Sequence, residues 1–336
     1  MNRVVFKGSA RNRGLIHGEQ LRDEIHKALA YYRPRFNADK VRLQEHVALM
    51  MAKVQAFRPD FIVEMDAIAE ASGVESLWIY CLNARSELMS SPVECSSIAF
   101  PGAGLIGQNW DWAEALEAQL ALADMELENG HRILTMIEPG MLAKIGMNSA
   151  GLGVCLNILP ADKKLDGVPV HILLRAILEC RTLADAAELI TLNGCGKASH
   201  ILVGSVEHQA FAVELAPEKP YFQTLDQPYY LHTNHYLEPG QAVPLASSVC
   251  TETRFARMSN MAQQIVELNL HGMMYILSST EPPFPILRPY EEHELTGRAG
   301  TLATILMDLP GGALHLREGF DAQSSYEHFS LKEKLG

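Results

Sequence analysis

The sequence predicts an α+β protein built as a layered sandwich, with helices flanking antiparallel sheets. A block of helical periodicity comes first, a series of short strand-like runs begins at Cys95, and helices recur between and after those runs. A doubly wound parallel sheet would need regular strand–helix alternation, and the runs of consecutive strands argue against it.

The helical block spans 14 to about 90. "GLIHGEQLRDEIHKALAYY" places Leu15, Leu21, Ile25 and Leu29 near helical spacing, and "VRLQEHVALMMAKVQAF" and "FIVEMDAIAEAS" continue the pattern. Gly73 marks a helix end, and "GVESLWIYCLNARSEL" begins another helix with Ser76 as a candidate cap. At Cys95 the texture changes: "CSSIAF" and "LIGQNWDW" flank "PGAG", a connection suited to a hairpin. Strands are expected at "HRILTMIE", "LAKIGM", "GLGVCLNIL", "HILVGSV", "AFAVEL" and "YYLHTN". Helices are expected at "VPVHILLRAILEC", with Pro169 near its first turn, and at "TLADAAELITL", with Thr182 as N-cap. Residues 249 to 278 read as helical, and "TLATILMDLPGGALHLREG" reads as a hairpin turning at Pro310-Gly311-Gly312.

Composition narrows the function classes. The 336 residues are 48% hydrophobic and 20% charged, ordinary for a globular chain. A formal charge of −12 without any Lys/Arg run argues against nucleic-acid binding. The N-terminal "MNRVVFKGSARNRG" lacks the apolar core of a signal peptide, and no stretch approaches the ~20 apolar residues needed to span a bilayer. A cytoplasmic protein without membrane association is expected. The six cysteines form no C-x-x-C pair, which leaves no zinc spacing and, in a reducing compartment, no disulfide framework.

Cys95 is nevertheless unusual. A lone cysteine is ordinarily a small buried hydrophobe, but this one has Glu94, Ser96 and Ser97 as polar neighbours and a turn-rich segment behind it. A nucleophilic thiol needs some access and a nearby base. Cys195 in "NGCGKAS" is the nearest competitor. In "GQNWDW" a strand would put Trp110 and Trp112 on one face and Asn109 and Asp111 on the other. Asp111 is then either a satisfied structural carboxylate or part of a site. "LHTNHY" offers Asn234, whose amide suits a developing oxyanion, while His232 and His235, three apart on a strand, would face opposite ways and make a poor metal pair. Arg298 in "TGRAGTL" could pair with a carboxylate or simply lie on the surface. The glycines of "GMNSAGLGV" read as a tight turn, and His17-Gly18 as structural.

Taken in order, "CSS", "GQNWDW", "IGMNSAGLGV", "GVPVHILLRAILE", "HTNHY" and "RAGTL" resemble the acyl-coenzyme A:6-aminopenicillanic acid acyltransferase family. Its members are cysteine N-terminal-nucleophile (Ntn) enzymes, peptidase family C45. The likeness runs from "GLIHGEQL" to "RAGTLATIL", nearly the whole chain. It implies one Ntn-hydrolase domain over 1–336 with a four-layer αββα sandwich. It implies self-cleavage between Glu94 and Cys95, giving a mostly helical fragment 1–94 and a fragment 95–336 that carries the nucleophile. It further implies that Cys95 forms an acyl-enzyme, its own α-amine serving as base, on a small N-acyl or acyl-thioester substrate. The resemblance assigns Asn234 to the oxyanion, Asp111 to the surroundings of the nucleophile and Arg298 to a carboxylate near the site, with Ser97 and Trp110 against the substrate. It calls for no cofactor or metal. The cleaved fragment is the expected partner, and a homo-oligomer stays open. The alternatives are a papain-like pairing of Cys95 with His232 or His235 and a non-catalytic binding protein on the same scaffold.

The sequence departs from the family pattern at three places. Glu94 stands where the prototype has glycine before the cysteine, and Ala216 and Gly297 stand where it has serines. The two lost hydroxyls point away from penicillin acyl exchange itself.

Overall fold

The computed structural model describes residues 1–36, 39–89, 95–239 and 248–333. Along the chain come β1 (Asn2–Gly8), α1 (Ala10–Gln20), α2 (Arg22–Tyr32), α3 (Lys40–Phe57), α4 (Pro59–Ser72), α5 (Ser76–Asn83) and α6 (Arg85–Leu88). Then follow β2 (Cys95–Phe100), β3 (Leu105–Ala113), β4 (Ala121–Leu127), β5 (Arg132–Ile137), β6 (Gly146–Asn148), β7 (Leu152–Ile158), α7 (Val170–Glu179) and α8 (Leu183–Asn193). The remainder is β8 (Ser199–Ser205), β9 (Ala210–Leu215), β10 (Pro220–Thr224), β11 (Tyr230–His232), α9 (Ser248–Gln264), α10 (Leu270–Leu277), β12 (Glu291–His293), β13 (Gly297–Asp308), β14 (Ala313–Glu318) and β15 (Glu327–Ser330).

Two sheets stack face to face. The first runs β1-β4-β5-β6-β7-β8-β9-β10, and the second runs β11-β2-β3-β13-β14-β15 with β12 paired to β13. All pairings are antiparallel except β1 with β4, where Asn2 faces Ala121 and Gly8 faces Leu127 in parallel. Period-2 alternation sorts the second sheet's side chains. Cys95, Ala99, Ile106, Trp110 and Trp112 join the inter-sheet core, whereas Ile98, Phe100 and Leu105 pack with Met273, Ile276 and Leu277 of α10. Helices α7 and α8 lie on the first sheet and α9 and α10 on the second, completing four layers. The Gln108 amide sews the sheets together: Nε2 donates to Leu156 O (3.1 Å) and Oε1 accepts from Leu156 N (2.6 Å).

The elements the alternation did not reveal are informative. The N-terminal β1 was not expected, because "RVVF" forms a strand by pairing with a partner more than a hundred positions away. "LAKIGM" becomes a strand only from Gly146; before that the chain folds inward and carries Lys144, 2% exposed, into the core. Glu75, not Ser76, is the N-cap of α5, and no side chain caps it. Thr182 does cap α8, with Asp185 completing a capping box. His17 is structural: its Nε2 accepts from Gly140 N (2.9 Å), its ring stacks on Phe6, and burial pulls its pKa down to about 4. Gly14 and Gly18 let α1 lie directly on α4, since a Cβ would come within 2.3 Å of Glu64 O and 2.4 Å of Ile68 O.

Candidate functional site

Cys95 is the first residue of β2 and faces Trp110 across the ladder, so its thiol points between the sheets, where it is 2% exposed. Burial, and then the charge of Asp111, push the thiol up to about 12; the backbone of Asp111, Lys144 and Arg254 pull the other way. Such a thiol attacks only with a base at hand to take its proton.

Its backbone nitrogen has a dedicated partner. Cys95 N donates to Asn234 Oδ1 at 2.7 Å, and Asn234 Nδ2 donates to Ile158 O at 3.0 Å. The amide therefore bridges the start of β2 to the end of β7, with one of its two N–H hydrogens spent on Ile158. Asn234 is fixed in turn by its own N–H on Thr251 Oγ1 (2.7 Å).

Arg254, on α9, completes this corner. One guanidinium nitrogen donates to Cys95 O and to Ser96 Oγ, both at 2.9 Å, and the other donates to Asn234 Oδ1 at 3.1 Å. Sequence reasoning missed it, because a single arginine on a helix with a polar face gives no signal of burial.

Asp111 lies on the face of β3 away from the thiol. Thr301 Oγ1 donates to its Oδ1 (2.7 Å), while Oδ2 is buried with no hydrogen-bond partner among the described residues. Thr301 is aimed there by a bulge in β13, where the register shifts between Thr301 and Ala303. Burial raises the Asp111 carboxyl to about 7, against the pull of Arg254 and Thr301. On the thiol's own face, Lys144 Nζ lies over the Trp110 ring and donates to Glu138 Oε1 at 3.0 Å. Glu138 also accepts from Arg85 and from Tyr32, whose hydroxyl accepts from Trp112 Nε1.

The other expected site residues fall as follows. Ser97, two residues behind Cys95 on the same face, is fully buried and donates to Asn157 Oδ1 at 2.7 Å. Trp110 is 1% exposed beneath Lys144, so it offers a substrate at most a floor. Arg298 has the expected carboxylate, Glu114 (2.7 Å), but it is half exposed, and none of its recorded contacts is with Cys95, Asp111 or Asn234. It stands on β13 beyond the Asp111–Thr301 pair, at the end of the sheet where β2 begins. Glu94 lies outside the described residues.

Neither imidazole has a recorded contact with the thiol, which weighs against the papain-like pairing. His232 is held by Thr233 O and Glu214, and His235 by Thr233 and Thr251. The two rings do not face opposite ways as a strand would require: the strand stops at His232, and their centroids are 6.5 Å apart at 22°. No cluster of three or more metal-ligating side chains occurs among the described residues, and no described helix is long and apolar enough to cross a membrane. Gly297 has φ +83°, a conformation that would strain the serine of the family pattern, and Ala216 packs among Leu159, Ala198 and Tyr236.

The fold and the family can be checked against known proteins. The chain is 26% identical over 337 aligned residues, 95% of its length and 93% of the relative's, to the 40 kDa form of acyl-coenzyme A:6-aminopenicillanic-acid-acyltransferase of Emericella nidulans. Two solved structures of conjugated bile acid hydrolase from Clostridium perfringens, both substituted variants, share the fold at 14% identity. One has a TM-score of 0.52 over 72% of this chain and 93% of that one, and the other 0.51 over 71% and 93%. The fold is thus an Ntn-hydrolase α+β sandwich of two sheets and flanking helices. The model of the acyl-coenzyme A:6-aminopenicillanic acid acyl-transferase family matches residues 100–323, from the last residue of β2, five positions after Cys95, through the hairpin after Arg298, and the chain belongs to that family.

Proposed function

We propose that the protein is a self-processing Ntn cysteine amidohydrolase or acyltransferase acting on a small N-acyl or acyl-thioester compound. The observation that carries this is the Cys95 N–Asn234 Oδ1 hydrogen bond. A nitrogen with its own side-chain acceptor at the first residue of a strand suits a group that becomes an α-amine once the chain is cut between Glu94 and Cys95. In the uncut chain the Cys95 sulfur attacks the Glu94 carbonyl carbon, the acyl group passes from nitrogen to sulfur, and water releases the thioester. The freed amine has a reference pKa of about 7.7–8.0 and takes the thiol's proton as sulfur adds to the substrate carbonyl. The second Asn234 N–H donates to the oxyanion, and Arg254 holds Asn234 Oδ1 and the Cys95 carbonyl still. The acyl group then passes to water or to an acceptor amine. Hydrolysis is slightly favoured because it needs no second-substrate pocket. Asp111 acts through its carboxylate beside Arg254 and its backbone beside the thiol. Arg298, at the rim, meets a substrate carboxylate in exchange for Glu114.

Intact mass under denaturing conditions tests this. Species corresponding to 1–94 and 95–336 in the wild type, and one full-length species in Cys95→Ala, are expected. A single uncut wild-type chain that still turns over an acyl substrate would overturn it.

A further inference from the structure

The segment that carries Asn234 is spanned by one carboxylate. Glu214, the fifth residue of β9 in the first sheet, accepts from His232 Nε2 (2.9 Å) and Leu237 N (2.7 Å) at one oxygen and from Glu238 N (3.2 Å) at the other. His232 closes β11 of the second sheet, and Leu237 follows Asn234 by three residues. Both ends of the Asn234 loop are therefore tied to the same side chain, across the gap between the sheets.

The His232 ring fits between two acceptors. Its Nδ1 lies 2.7 Å from Thr233 O and its Nε2 lies 2.9 Å from Glu214 Oε1, so each ring nitrogen faces an oxygen acceptor. Its neighbour His200 has the opposite arrangement. His200 Nδ1 donates to Asn157 Oδ1 (2.9 Å) and Nε2 accepts from Tyr230 OH (3.2 Å), the pattern of a neutral ring, and it stacks on His232 at 3.6 Å and 2°. Burial first, and then His232 and Arg254, bring the adjoining His235 down to about 4 against the pull of Glu214, so that ring is neutral near pH 7.

We propose that Glu214 is a positioning residue for acyl transfer: with His232 it forms a clamp between the sheets that holds Asn234 against the Cys95 nitrogen. This rests on the assignment of Cys95 and Asn234 above. The mechanical reason is that Asn234 must touch both sheets at once, through Cys95 N on one and Ile158 O on the other. Its amide meets both only if the sheets keep their spacing at this end. A glutamine cannot replace the carboxylate, because its NH2 would face an N–H donor that the second oxygen now satisfies.

The test is a double-mutant cycle between Glu214→Gln and Asn234→Ala, read as the rate of Cys95 acylation by p-nitrophenyl acetate and normalised to cleaved chain. Glu214→Gln is expected to lower the saturating rate about 10- to 100-fold and to move the half-saturating concentration by less than about threefold. Asn234→Ala costs about 10²–10³ in the wild type, and at least tenfold less in the Glu214→Gln background. An undiminished Asn234 penalty in both backgrounds, or an effect confined to half-saturation, overturns the clamp. If Glu214→Gln does not fold, His232→Gln replaces it in the same cycle with the same expectations. Activity surviving in Cys95→Ala would overturn the nucleophile assignment itself, whereas a dead Cys95→Ala with an additive cycle removes only the clamp.

Discussion

Lys144 Nζ lies 3.5 Å from the centre of the Trp110 ring, and Trp110 is the residue opposite Cys95 in the β2–β3 ladder. A buried ammonium is costly unless paired, and here Glu138 at 3.0 Å and an aromatic face share the task. Burial first, and then repulsion from Arg85, bring Lys144 down to about 7 against the attraction of Glu138. Its charge favours the Cys95 thiolate. Lys144→Met should therefore slow acylation most below pH 7, where the wild-type ammonium is charged, and least above pH 8. A wild-type/variant ratio that is flat with pH would contradict this.

Glu138 sets how the core responds to acid. Burial alone would raise its carboxyl, but Arg85, Lys144 and the Tyr32 hydroxyl more than reverse this and bring it to about 2. A lowered carboxyl contributes stability that is complete above its ordinary value of 4.5 and is lost as pH falls toward 2. Glu138→Gln leaves Arg85 unpaired in the core and should cost about 3–5 kcal/mol at neutral pH. Urea unfolding from pH 6 to 3 should show a shallower acid decline in the variant; equal slopes would refute the assignment.

Asp111 has the opposite sign. A carboxyl raised from 3.8 to about 7 contributes stability that is complete below 3.8 and lost as pH rises through 7. Near pH 8 the charged carboxylate, with one oxygen unpartnered, works against folding. Asp111→Asn is expected to gain on the order of 1 kcal/mol there while acylation falls. Thermal melts of the uncut Cys95→Ala background, with and without Asp111→Asn, measure the gain without interference from processing.

The two arginines should separate kinetically. Arg254→Lys loses the fork that reaches Cys95 O, Ser96 Oγ and Asn234 together, and should lower the saturating rate at least about tenfold, as a lost preorganised donor does. Arg298→Ala, at an exposed pair worth about 0–1 kcal/mol to stability, should leave the saturating rate within about threefold and act on half-saturation by a carboxylate-bearing acyl substrate. The reverse ranking would return Arg298 to the reacting centre.

Much of this fold was legible because its second half alternates cleanly. β2, β3, β7, β8 and β9 carry apolar period-2 runs bounded by Gly, Pro or polar turns, and the Pro310-Gly311-Gly312 turn announces the last long hairpin. β1 was not legible, because it is a strand by virtue of a parallel pairing with β4, more than a hundred positions away, that no local pattern encodes. β10, exposed along its whole length, has no buried face to alternate against. Within the site, Cys95, Asp111 and Asn234 sit in dense motifs and could be singled out. Arg254, Lys144, Glu138 and Glu214 could not, since an isolated charge in a sequence looks like surface until its partners arrive from other elements.

The parallel pairing of β1 with β4 bears on the cut. β1 belongs to the stretch before Glu94 and β4 to the stretch after it, so scission between Glu94 and Cys95 would leave the short piece woven into the long one by a seven-residue ladder. One chain would then be two molecules, and unfolding would acquire a reaction order: a nicked protein would melt by dissociation, at a temperature that climbs with concentration, and the uncut Cys95→Ala would not.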